Sequence, residues 1–163
     1  MNVHTISFFG HRELMDSLLI EQQLEKLIRK LLNEKEFVEF LVGREGDFDQ
    51  LVSSTIRRCK RLVRDDNSSL VWVLPYATSE FLNNEESFRQ YYDQIEICDS
   101  AAAGHFKSAH QTRNRVMVDR SDLVVFCIQR ESGGAWQTMK YVKKQGKPCI
   151  NINDWLEENK WTE

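Results

Sequence analysis

The chain of 163 residues carries 22 Lys and Arg against 25 Asp and Glu, a formal net charge of −3 at pH 7. That balance supplies no general attraction to nucleic acid or to an anionic membrane, and the length suits one domain with a real core. Charged residues make up 29% and hydrophobic ones 41%, and no apolar run approaches the roughly 20 residues of a membrane span.

The opening Met1-Asn2-Val3-His4 lacks the basic and apolar regions of a signal peptide, so it leads into a first strand. Cys59, Cys98, Cys127 and Cys149 are scattered with no C-x-x-C spacing. Neither a disulfide framework nor a zinc knuckle follows, and a reducing cytoplasm is the expected compartment.

Strand and helix patterns then alternate along the chain. Val3 to Phe9 reads as a strand. A helix capped by Asp16 or Ser17 follows, with Ile20, Leu24, Leu27, Ile28 and Leu31 on one face. Phe37 to Val42 is a second strand, and a second helix from near Asp49 turns Val52, Thr55, Ile56, Cys59 and Val63 inward. Leu70 to Leu74 is a third strand, stopped at Pro75.

Residues 76–104 read as a long excursion with one short helix and one turn, a kind of segment that often carries function. A third helix is predicted over His105 to Asp119, with Ala109, Thr112, Val116 and Met117 inward. Asp122 to Ile128 is a fully buried strand, followed by the turn Gly133-Gly134-Ala135 and a helix to Gln145. Gly146 occupies a helix C′ position, Pro148 opens a fifth strand through Ile152, and a tail with Trp155 and Trp161 forms a short helix on the body.

This alternation predicts an α/β fold over residues 1–163, a Rossmann-like, doubly wound parallel sheet of about five strands with helices on both faces. The simplest order is 3-2-1-4-5, in which the chain reverses between the first and fourth strands. Ligands in such sheets bind beyond the carboxyl ends of the strands at that reversal.

The loops there are Gly10-His11-Arg12-Glu13 and Ser132-Gly133-Gly134-Ala135. A glycine turn before a helix leaves main-chain N–H groups free beside a positive dipole end, which suits phosphate or carboxylate. Gly10 allows close approach, Arg12 can fork onto an oxyanion, and His11 can donate or stack. A second loop, from Gly43 through Gly46 to Asp49, also joins a strand to a helix. Asp49 is there either a cap or an acceptor for ribose hydroxyls. Arg113 and Asn114 are either surface groups of the third helix or arms into the pocket. Arg57, Lys60, Arg61 and Arg64 share a face of the second helix, better read as solvated than as a nucleic-acid track, because no aromatic stripe accompanies them.

Several signals are absent. No G-x-x-x-x-G-K-[ST] occurs, no G-x-G-x-x-G follows the first strand, and Ser132 is not in a G-x-S-x-G elbow. His105 and His110 are five apart, which splays them on a helix, so no metal is expected; nor is a cofactor.

The stretch Phe8-Phe9-Gly10-His11-Arg12, then Gly43, Gly46, Phe48 and Asp49, then Arg113, Asn114 and Met117 with Ser121-Asp122, then Gly133-Gly134-Ala135, and last Gly146-Lys147-Pro148 before Ile150-Asn151-Ile152, resembles the small bacterial members of the SLOG superfamily. That superfamily is named for the Smf/DprA and Lonely Guy proteins. The resemblance runs from about Val3 to Ile152 and implies a Rossmann-like sheet with a pocket for nucleotides or nucleotide-derived ligands. It also makes a homodimer plausible.

Lonely Guy enzymes cleave nucleoside monophosphates with a P-G-G-x-G-T-x-x-E motif. Aligned on Gly133 and Gly134, this chain has Gln137 at the threonine and Lys140 at the glutamate. The deoxyribosyltransferase register, G-T-x-x-E from Gly134, places Thr138 at the glutamate. Neither supplies the carboxylate that a glycosidic reaction needs, and Asp47 or Asp49, or else Glu13 or Glu131, would have to replace it.

The favoured expectation is therefore binding or sensing of a nucleotide-like small molecule through Gly10, His11, Arg12, Gly43, Gly46, Asp49, Arg113, Asn114, Ser132, Gly133, Gly134 and Ala135. An N-glycosidase using Asp49 or Asp47 is the alternative, and single-stranded nucleic-acid binding the second alternative. Neither membrane nor nucleic acid is expected as the main partner.

Overall fold

The computed structural model describes residues 1–160, with side chains through Leu156. Its centre is a six-stranded parallel sheet, β1 (Val3–Gly10), β2 (Phe37–Val42), β3 (Ser68–Leu74), β4 (Gln94–Ile97), β5 (Leu123–Cys127) and β6 (Cys149–Asn151), in the order β4-β3-β2-β1-β5-β6. The helices are α1 (Ser17–Glu34), α2 (Asp47–Leu62), α3 (Ser79–Asn83), α4 (Glu85–Tyr91), α5 (Asp99–Ala103), α6 (Ala109–Asp119), α7 (Gly133–Gln145) and α8 (Ile152–Lys160).

The five expected strands lie in the expected relative order, and β4 adds a sixth at the edge. Only four residues long, β4 hydrogen-bonds alongside Val71 to Leu74. The excursion is more structured than its sequence suggests, with three short helices and this strand between Leu74 and the 3-10 turn Phe106–Ser108.

Alternation along each strand divides the core in two. Ile6 and Phe8 of β1, Phe40 of β2, Trp72 of β3 and Val125 of β5 pack with α1, α2, α4 and α8. Phe9, Leu41, Val71, Val73 and Phe126 face α5, α6 and α7 on the other side. Strands buried on both faces read as continuous apolar runs, which is why β5 and the Leu70–Leu74 part of β3 stand out in the sequence. Trp72 gathers Phe81, Phe88 and Tyr92 with ring centroids 5.9, 4.9 and 5.1 Å away, pinning α3 and α4 to the sheet.

Several boundaries and caps differ from expectation. Asp16 precedes α1 in the left-handed region (φ 59°) and its side chain caps nothing, while Ser17 is already the first helical residue. Gly46, not Asp49, is the N-cap of α2. Asp47 and Asp49 fall in the first turn, where negative charge suits the dipole. α6 starts at Ala109 after the 3-10 turn rather than at His105, and it buries Arg113, Asn114, Met117 and Val118 in place of Thr112 and Val116, which are only half-buried. α7 begins at Gly133, two residues earlier than expected, with φ 87° at that glycine. Ile152 starts α8 instead of ending β6; Trp155 packs on the core, and Trp161 lies outside the described residues.

Ser121 and Asp122 tie α6 back to β1. Ser121 Oγ donates to the Met117 carbonyl at 2.7 Å and lies 2.6 Å from Ser7 Oγ. Asp122 accepts the Thr5 N–H at 2.8 Å and returns its own N–H to the Thr5 carbonyl at 2.8 Å. This pair of residues registers β5 beside β1. Gly10 closes the other end of β1, where any Cβ would stand on the fully buried Phe48 ring.

Gly10→Ala is expected to overpack that contact and lower stability by about 1–3 kcal/mol. A urea titration reads this as a reduced midpoint at unchanged slope; an unchanged midpoint would show that the Phe48 ring yields freely.

Candidate functional site

The chain extends the sheet from β1 to β4 in one direction and then returns to place β5 on the other side of β1. A cavity of about 300 Å³ opens beyond the carboxyl ends of the strands at this switch. Its walls come from the ends of β1 and β2, the start of α2, one face of α6, and the turn into α7.

All the sequence-derived site residues line this cavity except Gly46. Gly46 instead lies against the backbone of Arg12, where a Cβ would strike the Arg12 Cα. The Asp47 N–H donates to the Arg12 carbonyl at 2.9 Å, zipping the first two loops together. Asp47 itself points away from the cavity and accepts the Leu14 N–H at 3.0 Å. Glu13 and Glu131 are exposed and do not line the cavity.

His11 is buried, and its Nε2 accepts the N–H groups of Gln129 and Arg130 at 3.1 and 3.3 Å. Those bonds place its proton on Nδ1. Burial, helped by the Arg130 charge, pushes its pKa below the usual histidine value, so the neutral ring acts as a strut between the first and last loops.

Arg113 is a buried charge, only 4% exposed. Its Nη1 donates to Glu45 Oε1 at 2.8 Å and to the Val73 carbonyl at 3.0 Å, while its Nε donates to Asn114 Oδ1 at 2.9 Å. Asn114 Nδ2 donates to Thr138 Oγ1 at 3.1 Å, and Thr138 donates to the Gly134 carbonyl at 2.9 Å. One polar chain thus runs from the second loop to the glycine turn. Thr138, at the glutamate position of one glycosidase register, is committed to this chain. Lys140, at the other, is exposed beside the Trp136 ring.

Glu45, Asp49 and Arg113 converge on Gly43, where a side chain would collide with the Glu45 carboxylate. Glu45 accepts the Arg44 N–H at 3.0 Å, and Asp49 accepts the Glu45 N–H at 2.9 Å. Arg113 holds the Glu45 carboxyl below the ordinary glutamate value against the opposing effect of burial. Burial and the neighbouring Glu45 charge push Asp49 up to about 8. At neutral pH the pair is one carboxylate and one carboxylic acid, the usual outcome for two acids that share a site. His110 Nε2 lies 3.8 Å from Glu45 Oε1, but burial and Arg113 lower its pKa, so the imidazole faces the cavity uncharged.

The opposite wall is cationic. Ser132, Gly133, Gly134 and Ala135 bring the N-terminus of α7 to the cavity, and Ser132 makes no side-chain cap bond. Arg12 is exposed at this rim. The Arg130 guanidinium donates only to the neutral Glu13 carbonyl, at 3.2 Å, among the described residues. Sequence reasoning missed Glu45, His110, Gln111 and Arg130, which line the same space. The motif spacing holds no sign of the first, since Glu45 sits among charged loop residues. Among the described residues no group of three His, Cys, Asp or Glu side chains could hold a metal ion.

Fold and cavity together define a doubly wound α/β protein with a polar cleft at its switch point. No family model matches the chain, and no curated protein does. Among solved structures it is similar to DNA processing protein A (DprA) from Streptococcus pneumoniae, with a TM-score of 0.63 and 14% identity. The match covers 90% of this chain and 49% of that one, so the chain spans about half of the neighbour's length. At that identity the likeness is one of fold.

The proton on Asp49 makes a stability prediction. An acid whose folded pKa lies above its unfolded value of 3.8 binds more protons folded than unfolded, so its share of stability is full below pH 4 and falls as pH rises through about 8. Asp49→Asn keeps a neutral group of the same shape and removes that loss. The variant should match the parent at pH 4 or below and exceed its stability by a margin that grows from there to about pH 8 in denaturant titrations. Parallel pH profiles for the two proteins would refute the assignment.

Proposed function

We propose that the cavity binds a phosphorylated nucleoside or a nucleotide-derived ligand. The observation that carries this reading is the uncapped start of α7, flanked by the Arg12 and Arg130 guanidinium groups at the switch point of the sheet. Free N–H groups and arginines together favour a phosphate over a neutral group. The opposite wall, with Glu45 as acceptor and Asp49 as donor, suits the vicinal hydroxyls of a ribose. A phosphate at one end and a sugar at the other use both walls, and an inorganic anion uses one.

Isothermal titration against a panel of nucleoside phosphates, ADP-ribose and cyclic nucleotides tests this. Charge-assisted bonds contribute roughly 1.5–3 kcal/mol each, so Arg12→Ala should weaken the best ligand about tenfold or more, and Arg130→Ala by a similar factor. Absence of heat with every phosphorylated compound, or full affinity in both variants, would refute the reading.

A second reading has one observation in its favour. Two carboxyl groups with opposite protonation at neutral pH are the equipment of N-glycoside cleavage. Asp49 would protonate the leaving base and Glu45 would face the developing positive charge on the sugar. Chromatographic detection of free base from nucleoside monophosphates, lost in Asp49→Asn, supports this; no release by the parent protein removes it.

A nucleic-acid partner, raised by the name DNA processing protein A, finds less support. On α2, Arg58 pairs with Glu21 at 2.8 Å and Lys60 with Asp93 at 2.8 Å, while Arg57 lies over the Tyr91 ring at 4.1 Å; just past the helix, Arg64 pairs with Asp66 at 2.6 Å. Two of the four residues of that face, Lys60 and Arg64, are thus paired with carboxylates within the molecule. No helix among the described residues is long and apolar enough to cross a membrane.

A further inference from the structure

We propose that Phe106 and Tyr76 form an aromatic shelf at the cavity mouth that stacks the base of the bound nucleotide. The inference rests on the reading of the cavity as a nucleotide site and names the part of the ligand that the cavity walls leave unheld.

Phe106 lies in the 3-10 turn before α6 and is 71% exposed, an unusual state for a phenylalanine. Its ring rests on Tyr76 with centroids 5.2 Å apart and planes inclined by 40°. Tyr76 follows the carboxyl end of β3, on the same side of the sheet as the cavity, and packs into the core beneath α6. Tyr76 also meets His110 edge-on at 6.0 Å, and His110 lines the cavity. The three rings form a continuous step from the acidic wall outward. The stack on Tyr76 holds Phe106 in place, so little order has to be gained when a base lies on its open face.

The size of the cavity points the same way. About 300 Å³ is the lower limit for small-molecule sites, which run from roughly 300 to 1,000 Å³. With the phosphate at α7 and the ribose against the Glu45–Asp49 pair, the base projects past His110 onto Phe106. Stacking tolerates any base and favours the larger purines. The shelf therefore supplies affinity for the nucleoside moiety rather than discrimination among hydrogen-bonding edges.

The test compares AMP with ribose 5-phosphate by isothermal titration on the full chain, for the parent, Phe106→Ala and Phe106→Trp. Alanine at this exposed position leaves the core untouched, and circular dichroism checks the fold. AMP should bind about tenfold more tightly than ribose 5-phosphate. Phe106→Ala should erase that gap without altering ribose 5-phosphate affinity, and Phe106→Trp should retain it. Equal affinities in the parent, or an unchanged gap in Phe106→Ala, overturn the shelf while ribose 5-phosphate binding leaves the cavity reading intact. If Phe106→Ala instead alters sedimentation with the gap unchanged, the ring serves contact with a second copy and the proposal is overturned. Binding of neither compound removes the cavity reading and the shelf together.

Discussion

A single guanidinium, that of Arg113, ties the walls of the cleft together. It is nearly inaccessible to water, so its charge is tolerable only with the Glu45 carboxylate and the Val73 carbonyl both in place. It fixes the end of β3, the second loop and α6 at one point. Through Asn114 and Thr138 it also fixes the glycine turn before α7. The two walls come from distant parts of the chain, yet they share one continuous set of hydrogen bonds. Removing one member leaves buried polar groups without partners rather than merely loosening a loop.

That arrangement also sorts charge across the cleft. Arg113 is spent on Glu45, so the acidic wall holds a local balance in which Asp49 stays protonated. Arg12 and Arg130 have no carboxylate of this kind beside them among the described residues, and their charge adds to the α7 dipole. The absence of a side chain at Gly43 is what lets three ionisable groups meet. Glycine at position 133 serves differently, since its φ of 87° turns the chain into α7 in a conformation that other residues rarely adopt.

The legible parts of this molecule are those dictated locally. The doubly buried β5 is an uninterrupted apolar run, β1 is rich in apolar residues about Ile6, Phe8 and Phe9, and loops at the switch point follow from strand order alone. β4 escaped because Gln94-Ile95-Glu96-Ile97 is short, half polar and at an edge, where neither face need be continuously apolar. Glu45 escaped because a glutamate between Arg44 and Gly46 looks solvated; its partner lies 68 positions away, and no local period encodes such a pairing. Arg113 and Asn114 were visible as candidates but ambiguous between surface and pocket. Only the satisfied polar chain explains how adjacent polar residues can both be buried on α6. Tyr76 opens the excursion that sequence periodicity left unresolved and Phe106 follows its end, so no local pattern pairs their rings.

The central place of β1 has a consequence for synthesis on the ribosome. Thr5 finds its partner Asp122 117 positions later, so β1 gains its second neighbour long after it is made. Until that segment emerges, one side of β1 offers bare peptide groups, the condition under which nascent chains pair wrongly with one another. The cleft does not exist during that interval, and a small molecule has nothing to grip. Whatever occupies the site can guard the finished molecule against unfolding but cannot template its first assembly.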